Sequence, residues 1–284
     1  MFGSVYIYGL GMMGGSLAKC IKKKNISKKI YAYDIDKESL AYAKKNRIIT
    51  DFDVNNFKYL SNTDLIVICT PVSSYNLIFK KLKKYKKNTA IITDIGSTKA
   101  NIIRAYKQVF KNDLTSFVGS HPLTGKELSM VKNSDSEIFK KSLVLMTPVL
   151  RDNIKLEEKI SKFWKKLGCQ VSLIDANKHD LVLSETSHLP HIVSFALVSI
   201  ILNTQSINNI EDYTGGGFKD FARLAHSDSI MWKDICSSND KNIIKSINLL
   251  KKELDVIKKI ISKKDNSLIN YLKLLKTKLE KNAK

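Results

Sequence analysis

The two residues whose type and position most clearly indicate a functional site are His121 and Arg223. His121 follows a short apolar run, and a histidine with an ordinary pKa near 6.5 can hold or accept a proton at neutral pH. Arg223 follows three glycines, and its planar guanidinium matches a carboxylate. The alternatives are a structural histidine and a helix ion pair between Arg223 and Asp220. Together these residue types indicate proton transfer on an anionic substrate.

A glycine-rich turn near the amino end indicates a dinucleotide site. The stretch V-Y-I-Y-G-L-G-M-M-G-G-S, which starts at Val5, reads as a strand, a tight turn and the start of a helix. Such a turn presents backbone N–H groups and the positive end of the helix dipole to a pyrophosphate, although a purely structural turn is the alternative. The residues of this loop expected to bind the cofactor are Gly9, Gly11, Met12, Met13 and Gly14.

Asp34 ends the second apolar run, 25 positions after Gly9. A carboxylate there can accept hydrogen bonds from the ribose hydroxyls and would repel a 2′-phosphate, so the sequence favours NAD over NADP. The alternative is that Asp34 or Asp36 caps the helix that begins near Lys37.

Two further strand ends carry polar residues. Thr70 and Pro71 follow one apolar run, and Asp94 and Ser97 follow the next. The carboxyl ends of parallel strands meet along one edge of the sheet, where the cofactor ribose and nicotinamide are expected. Asp94 or Ser97 could instead cap a helix that begins near Lys99.

Three histidines, His179, His188 and His191, fall within 13 positions. Their spacing suggests a metal site, but Pro190 is expected to interrupt the helix between the last two. No cysteine or well-spaced carboxylate completes a tetrahedral set of ligands. We therefore predict no metal.

The chemistry-bearing residues lie on a regular alternation of strands and helices. Short β-rich runs separated by helices of 10 to 15 residues predict βαβ units and an α/β fold with a Rossmann-type, doubly wound, mostly parallel sheet. The predicted strands are Val5–Tyr8, Ile30–Tyr33, Leu65–Cys69, Ala90–Thr93, Phe117–Val118, Leu143–Met146 and Gln170–Ile174. The predicted helices are Ser16–Lys23, Lys37–Lys45, Tyr75–Lys84, Lys99–Phe110 and Leu156–Leu167.

After residue 175 the pattern becomes helical throughout, which predicts a NAD-binding domain over 1–175 and an all-helical domain over 176–284. The helical part is small enough that dimerisation would add useful burial. Its apolar run Ile192–Leu202 covers 11 residues, and a membrane span needs about 20. A buried helix is the expectation, with no membrane partner.

Composition narrows the class of partner and the compartment. The formal net charge is +21, from 44 lysines but only 4 arginines on the basic side. Because bidentate recognition of bases and phosphates uses arginine, we expect no nucleic-acid partner and instead a field that attracts an anionic substrate. The four cysteines are widely spaced and show no ligand pattern, which is typical of a cytoplasmic protein.

The motifs together resemble the prephenate dehydrogenase family, including its arogenate-using members. The matching segments are G-L-G-M-M-G-G-S at 9–16, D-I-G-S-T-K at 94–99, G-S-H-P-L-T-G-K-E at 119–127, H-D-L-V-L-S-E-T-S-H-L-P-H at 179–191, and G-G-G-F-K-D-F-A-R-L-A at 215–225 with M-W at 231–232. The resemblance implies a Rossmann-type domain, a helical dimerisation domain, and NAD-dependent oxidative decarboxylation of prephenate to 4-hydroxyphenylpyruvate in tyrosine biosynthesis.

The resemblance also implies roles for individual residues. His121 matches the catalytic histidine, which accepts the proton of the ring hydroxyl, and Arg223 matches the arginine that binds a substrate carboxylate. The other positions that match the substrate pocket are Ser97, Glu127, His191, Lys219 and Trp232. Arogenate is the alternative substrate, and a β-hydroxyacid dehydrogenase is the second alternative.

The sequence departs from the family pattern at Thr124, Lys126 and Ala222. Lys126 adds a positive charge beside Glu127 and could alter the role of that carboxylate. If tyrosine inhibits the enzyme, we expect it to compete for the active site.

Overall fold

The computed structural model describes residues 1–126, 128–150, 152–203 and 215–282. Its centre is one eight-stranded sheet with the strand order β3-β2-β1-β4-β5-β6-β7-β8. Every neighbouring pair is parallel except β6 and β7, which are antiparallel. The strands are β1 Ser4–Tyr8, β2 Lys29–Tyr33, β3 Asp51–Phe52, β4 Leu65–Ile68, β5 Ile91–Asp94, β6 Phe117–Pro122, β7 Leu143–Pro148 and β8 Gln170–Leu173.

The central strands are buried on both faces. Along β1, Val5 and Ile7 belong to one apolar cluster, whereas Tyr6 belongs to the cluster on the opposite face. This alternation follows from the two-residue period of a strand, and it explains why the strands read as continuous apolar runs. Helices cover both faces, as a doubly wound sheet requires.

The helices that cover the sheet are α1 Met12–Lys23, α2 Lys37–Lys45, α3 Tyr75–Tyr85, α4 Ala100–Phe110 and α5 Ile154–Leu167. Apolar residues of α1, α2 and α5 join the first cluster, and those of α3 and α4 join the second. The predicted fold class, a mostly parallel Rossmann-type sheet followed by helices, is confirmed. Strand β3 was missed because it pairs over only two residues at the sheet edge.

After β8 the described residues contain helices and no strand. The helices are α6 Ala176–Leu183, α7 Leu189–Asn203, α8 Gly216–Ala225, α9 Ser229–Ser238, α10 Asp240–Lys263 and α11 Ser267–Asn282. By internal contacts the chain forms two compact units, Met1–Asp240 and Lys241–Lys284. Helices α6 to α9 therefore belong to the same unit as the sheet.

Two expectations about the helix around Pro190 are wrong. The proline does not interrupt it, because a π-helical segment, Ser184–His188, joins α6 to α7 in one continuous helix over Ala176–Asn203. A widened turn of this kind accommodates a proline that lacks its N–H. Nor is α7 a buried helix within the chain, since Ser194 is its one buried residue.

The continuous helix over Ala176–Asn203 is 28 residues long and predominantly apolar, and little of its most apolar stretch is buried. By length and composition alone it could cross a membrane. However, it carries His179, Asp180 and His188, which are buried and hydrogen-bonded inside the first unit. These polar contacts instead tie the helix to the sheet.

Candidate active site

The three glycines of the loop differ in how much room they leave for a side chain. Gly9 has a φ of +100°, which disfavours any side chain. A Cβ on Gly14 would lie 2.1 Å from the carbonyl oxygen of Gly9, so this glycine allows α1 to pack closely on β1. A Cβ on Gly11 would have no described atom within 4 Å. The backbone at Gly11 is therefore open to the approach of a ligand.

The amino end of α1 follows directly. Gly11 is its N-cap and offers no side-chain hydrogen bond, and no acidic residue lies in the first turn. Met12 is buried and Met13 half-buried at this end. A helix start without its own cap or counter-charge suits an anion such as a pyrophosphate.

Asp34 is bound to the glycine loop. One carboxylate oxygen accepts a hydrogen bond from the N–H of Leu10, and the other accepts one from the N–H of Asp36 at 2.8 Å. Asp36, not Asp34, caps α2 by accepting from the N–H of Glu38. The alternative role of Asp34 as the helix cap is therefore wrong, and its carboxylate is held beside the loop.

The residues after β4 border the same loop. A Cβ on Gly9 would lie 2.7 Å from Cγ2 of Thr70, so the two loops are in contact. The hydroxyl of Thr70 lies 2.8 Å from that of Ser74. Pro71 precedes the 3₁₀ turn Val72–Ser74, whose Ser73 N–H donates to Asp234 of α9 at 3.2 Å.

Asp94 and Lys99 form an ion pair of 2.6 Å, with both side chains 0% exposed. The Asp94 carboxylate also accepts hydrogen bonds from Tyr75, from the Gly96 N–H and from the Ser120 N–H. With four internal donors, the Asp94 side chain has a structural role and leaves only its backbone for the predicted contact with the cofactor.

The start of α4 is capped by neither Asp94 nor Ser97. The Asp180 carboxylate, from α6, accepts hydrogen bonds from the N–H groups of Lys99 and Ala100 at 2.8 and 2.9 Å. Ser97 is half-buried, and its hydroxyl makes no hydrogen bond with the part of the chain that is described. It remains available to a ligand at the sheet edge.

His121 lies within β6, opposite Leu145 of β7. Its Nδ1 is 2.9 Å from Nε2 of His179, and Nδ1 of His179 is 2.7 Å from Oδ1 of Asp180. His121 is half-buried, whereas His179 and Asp180 are buried. The three side chains therefore form a row that runs from the edge of the sheet into α6.

Burial keeps His121 neutral. Its pKa lies well below 6.5, mainly because burial disfavours the charged form, and further because of His179, Lys99 and His188. Burial also lowers the pKa of His179, although Asp180 opposes that effect. A neutral imidazole at this position can accept a proton at neutral pH.

A second group of rings continues from this row. Asn239 donates from Nδ2 to the carbonyl of Asp180 at 2.7 Å and lies 3.2 Å from Nδ1 of His188. Trp232 stacks on His191 with a centroid separation of 4.2 Å and meets His188 edge-on at 6.0 Å. The structure thus brings His191 and Trp232 into the contact network of His121.

Trp232 is 6% exposed, and its indole N–H has no hydrogen-bond partner among the described residues. A buried donor without an acceptor is costly, unless a ligand supplies the acceptor. Lys219 and Arg223 lie on α8, exposed, and α8 is fastened to α7 by a hydrogen bond from Ser194 to the carbonyl of Phe221. Within the described part of the chain, Arg223 and Asp220 do not form an ion pair with each other.

Two of the three departures from the family pattern, Thr124 and Lys126, lie in the segment after β6. Lys126 pairs with Asp135 at 2.8 Å on the surface, and Thr124 donates to the carbonyl of Ile138. Ala222 is half-buried in α8. The predicted substrate-binding residue Glu127 lies outside the described residues.

His179 and Asp180 were not predicted as site residues. The sequence feature that could have indicated them is an adjacent His-Asp pair near other histidines. The burial of the two side chains, however, could not be predicted from the sequence. The burial of Lys99 was likewise not predicted, because a lysine is rarely fully buried. It is buried here together with its partner Asp94.

Two family models divide the chain between them. The model described as "Prephenate dehydrogenase, nucleotide-binding domain" matches residues 17–173, and the one described as "Prephenate dehydrogenase, dimerization domain" matches residues 175–277. Together they cover the sheet and most of the helices after it.

Individual proteins are similar along most of the chain. Prephenate dehydrogenase of Lactococcus lactis is 30% identical over 92% of this chain and 72% of its own length. Cyclohexadienyl dehydrogenase of Zymomonas mobilis is 29% identical over 84% and 82%. Among solved structures, prephenate dehydrogenase from Aquifex aeolicus in complex with hydroxyphenyl propionate and NAD+ superposes with a TM-score of 0.90 and 34% identity, covering 99% of this chain and 98% of that one.

Proposed function

Because the chain belongs to the prephenate dehydrogenase family, we propose that it catalyses the NAD-dependent oxidative decarboxylation of prephenate to 4-hydroxyphenylpyruvate, in tyrosine biosynthesis. The resemblance inferred from the sequence motifs is thereby confirmed. The observation that carries the proposed chemistry is His121, a half-buried neutral imidazole at the end of β6 that is aligned by a second histidine.

His121 accepts the proton of the substrate's ring hydroxyl as C4 becomes a carbonyl. When bound, NAD takes the hydride from C4. The oxidised ring is a vinylogous β-keto acid, so its ring carboxylate leaves as CO2 and the electron pair of the broken C–C bond moves through the ring to the C4 oxygen. The ring becomes aromatic, and the C4 oxygen takes back the proton held by His121. The role of the chain is to orient the substrate and to hold one proton at His121, without a metal.

The loop and helix start described above hold the dinucleotide. The open side of Gly11 and the uncapped start of α1 fit a pyrophosphate. The Asp34 carboxylate beside the loop fits a ribose diol and disfavours a 2′-phosphate, which supports NAD over NADP. Thr70, Pro71 and the backbone at Asp94 border the same edge of the sheet.

Prephenate carries two carboxylates, which require cations and hydrogen-bond donors. We assign Arg223 to one carboxylate, with Lys219 and His191 as further partners. Ser97 and the indole N–H of Trp232 are available as neutral donors. Glu127 is assigned to the same pocket from its motif alone.

Helices α6 to α11 are assigned to a dimerisation domain that begins near residue 175. The description of the second family model supports a homodimer, and so does the apolar surface that α7 leaves only partly buried within one chain. We assign the enzyme to the cytoplasm, without nucleic-acid or membrane partners.

The alternative substrate is arogenate, which differs from prephenate only in an amino group in place of the side-chain keto group. A β-hydroxyacid dehydrogenase would need a lysine acid/base on a helix of the second part, and it would leave His121 without a task. We therefore set that activity aside.

The test is NADH formation at 340 nm with prephenate and with arogenate, each with NAD and with NADP. Turnover of prephenate with NAD is expected. Absence of turnover with both substrates would refute the proposal, and turnover of arogenate alone would replace the substrate.

A further inference from the structure

The row formed by His121, His179 and Asp180 determines where the protons of both imidazoles lie. The Asp180 carboxyl accepts backbone hydrogen bonds from Lys99 on Oδ1 and from Ala100 on Oδ2, so both of its oxygens act as acceptors. Its Oδ1 is 2.7 Å from Nδ1 of His179, and that nitrogen must therefore carry a proton. A neutral His179 then has a lone pair on Nε2.

That lone pair faces Nδ1 of His121 at 2.9 Å. A hydrogen bond between the two nitrogens requires one donor, so Nδ1 of His121 carries the proton and its Nε2 does not. The opposite tautomer would place the lone pair of His179 Nδ1 against the Asp180 carboxylate. The titratable groups around the two imidazoles, Lys99, Asp94 and His188, leave this assignment unchanged, because none of them is hydrogen-bonded to either ring.

We propose that His179 and Asp180 are positioning residues that hold His121 in the Nδ1–H tautomer, with its Nε2 lone pair ready to accept the substrate proton. The inference rests on the proposed function only for its catalytic consequence. When Nε2 takes the proton, the O–H bond of the substrate breaks, the N–H bond forms, and the resulting imidazolium keeps its Nδ1–H bonded to His179. The Asp180 carboxylate stabilises that positive charge through the His179 ring.

The surroundings make this row rigid. Both oxygens of Asp180 are engaged, and its backbone carbonyl accepts a hydrogen bond from Asn239. His179 is 0% exposed, so water does not compete for its nitrogens. An acceptor that is fixed in this way gives His121 a single orientation before substrate arrives.

The tautomer of His121 can be measured by spectroscopy, independently of any activity assay. The chain has five histidines, so ¹⁵N-histidine labelling of the full-length protein with NAD bound gives a spectrum of few signals, and His121→Asn identifies the relevant ring. At pH 7.5 we expect His121 with a protonated Nδ1 and a pyridine-like Nε2. A protonated Nε2 with a bare Nδ1 would overturn the proposal.

Two substitutions separate hydrogen bonding from packing. His179→Gln keeps an acceptor oxygen near the position of Nε2, whereas His179→Met fills similar space without one. We expect His179→Met to lower kcat by about 10- to 100-fold, with unchanged NAD affinity and a little-changed KM, and His179→Gln to recover most of that loss. Equal kcat values for the two variants, whether both high or both low, would contradict the proposal.

The exposed His226, whose Nδ1 lies 2.7 Å from the carbonyl oxygen of Ala222, provides the matched control. His226→Gln should retain the unmodified kcat and the unmodified His121 spectrum. If the unmodified enzyme fails to turn over prephenate but shows the Nδ1–H signal, the proposed function fails while the positioning role stands. If turnover is normal and the signal shows the other tautomer, the reverse holds.

Discussion

The carbonyl oxygen of Gly9 occupies the space into which a side chain on Gly14 would project, 2.1 Å from the ideal Cβ position. The backbones of the turn after β1 and of the first turn of α1 are thereby in direct contact. Gly11, two residues after Gly9, has no such neighbour among the described residues. The loop therefore contains one glycine required for packing and one left open toward a ligand.

Alanine should have different effects at Gly14 and at Gly11. Gly14→Ala forces the helix away from the strand, and we expect a loss of about 1–3 kcal/mol or more in the free energy of unfolding. Gly11→Ala should keep the melting temperature within a few degrees while raising the KM for NAD. Thermal melts and NAD titrations distinguish the two, and a stable Gly14→Ala would contradict the packing role.

Asp34→Asn should weaken the preference for NAD. The amide removes the charge that opposes a 2′-phosphate, so the ratio of kcat/KM with NADP to that with NAD should rise by about tenfold, or about 1.4 kcal/mol. Steady-state kinetics with both cofactors provide the measurement. Asp36→Asn, at the helix cap, is the control and should leave the ratio unchanged.

His121→Asn should lower kcat by about 100-fold or more, because it removes the general base. NAD binding, followed by protein fluorescence, should stay the same. A variant with full kcat would remove His121 from the mechanism. His226→Asn is the control for loss of a surface imidazole.

Arg223→Ala should chiefly raise the KM for prephenate. A charged hydrogen bond contributes about 1.5–3 kcal/mol, so KM should rise by about 10- to 100-fold. Arg104→Ala, an exposed arginine on α4, is the matched control. An unchanged KM for Arg223→Ala would refute its assignment to a carboxylate.

Stability should decrease as the pH falls below 6.5. Burial lowers the pKa of His121, His179 and His188 in the folded chain, to about 4 for His188. Above pH 6.5 these groups are neutral in both states and contribute no pH dependence. Below it the unfolded chain binds protons that the folded chain resists, so unfolding becomes easier by up to about 1.4 kcal/mol per pH unit for each histidine.

Urea melts between pH 6.5 and pH 5 measure that dependence before most carboxylates titrate. His188→Asn keeps an acceptor for Asn239 near the position of Nδ1 and should flatten the slope, whereas His226→Asn should leave it unchanged. A slope that is the same in His188→Asn as in the unmodified chain would exclude His188 as a source of the effect.

The order of strands and helices could be predicted because each central strand is apolar along its whole length and is followed by a helix with clear periodicity. Strand β3 could not, because two residues at an edge carry no pattern. The effect of Pro190 was also misjudged, since a π turn that absorbs a proline depends on the backbone geometry around it.

Site residues could be predicted where a reactive side chain lies at the end of a strand, as His121 and Asp34 do. It was not predictable where a side chain bonds to a distant segment. Because Asp94 is an acid at the end of a strand, the sequence suggests that it faces a ligand. In the structure its carboxylate instead accepts four hydrogen bonds from other residues of the chain. The pairing of His121 with His179 joins residues 58 positions apart, which only the folded chain reveals.

Asp180 lies beyond residue 175, where the helical pattern begins, yet it caps α4 on the side of the sheet. A fragment that ended at residue 175 would leave the N–H groups of Lys99 and Ala100 without these acceptors, and it would leave His121 without its neighbour. The nucleotide-binding sheet is therefore not a detachable module. Attempts to transplant it, or to exchange the helical part for that of a relative, must carry Asp180 along with the sheet.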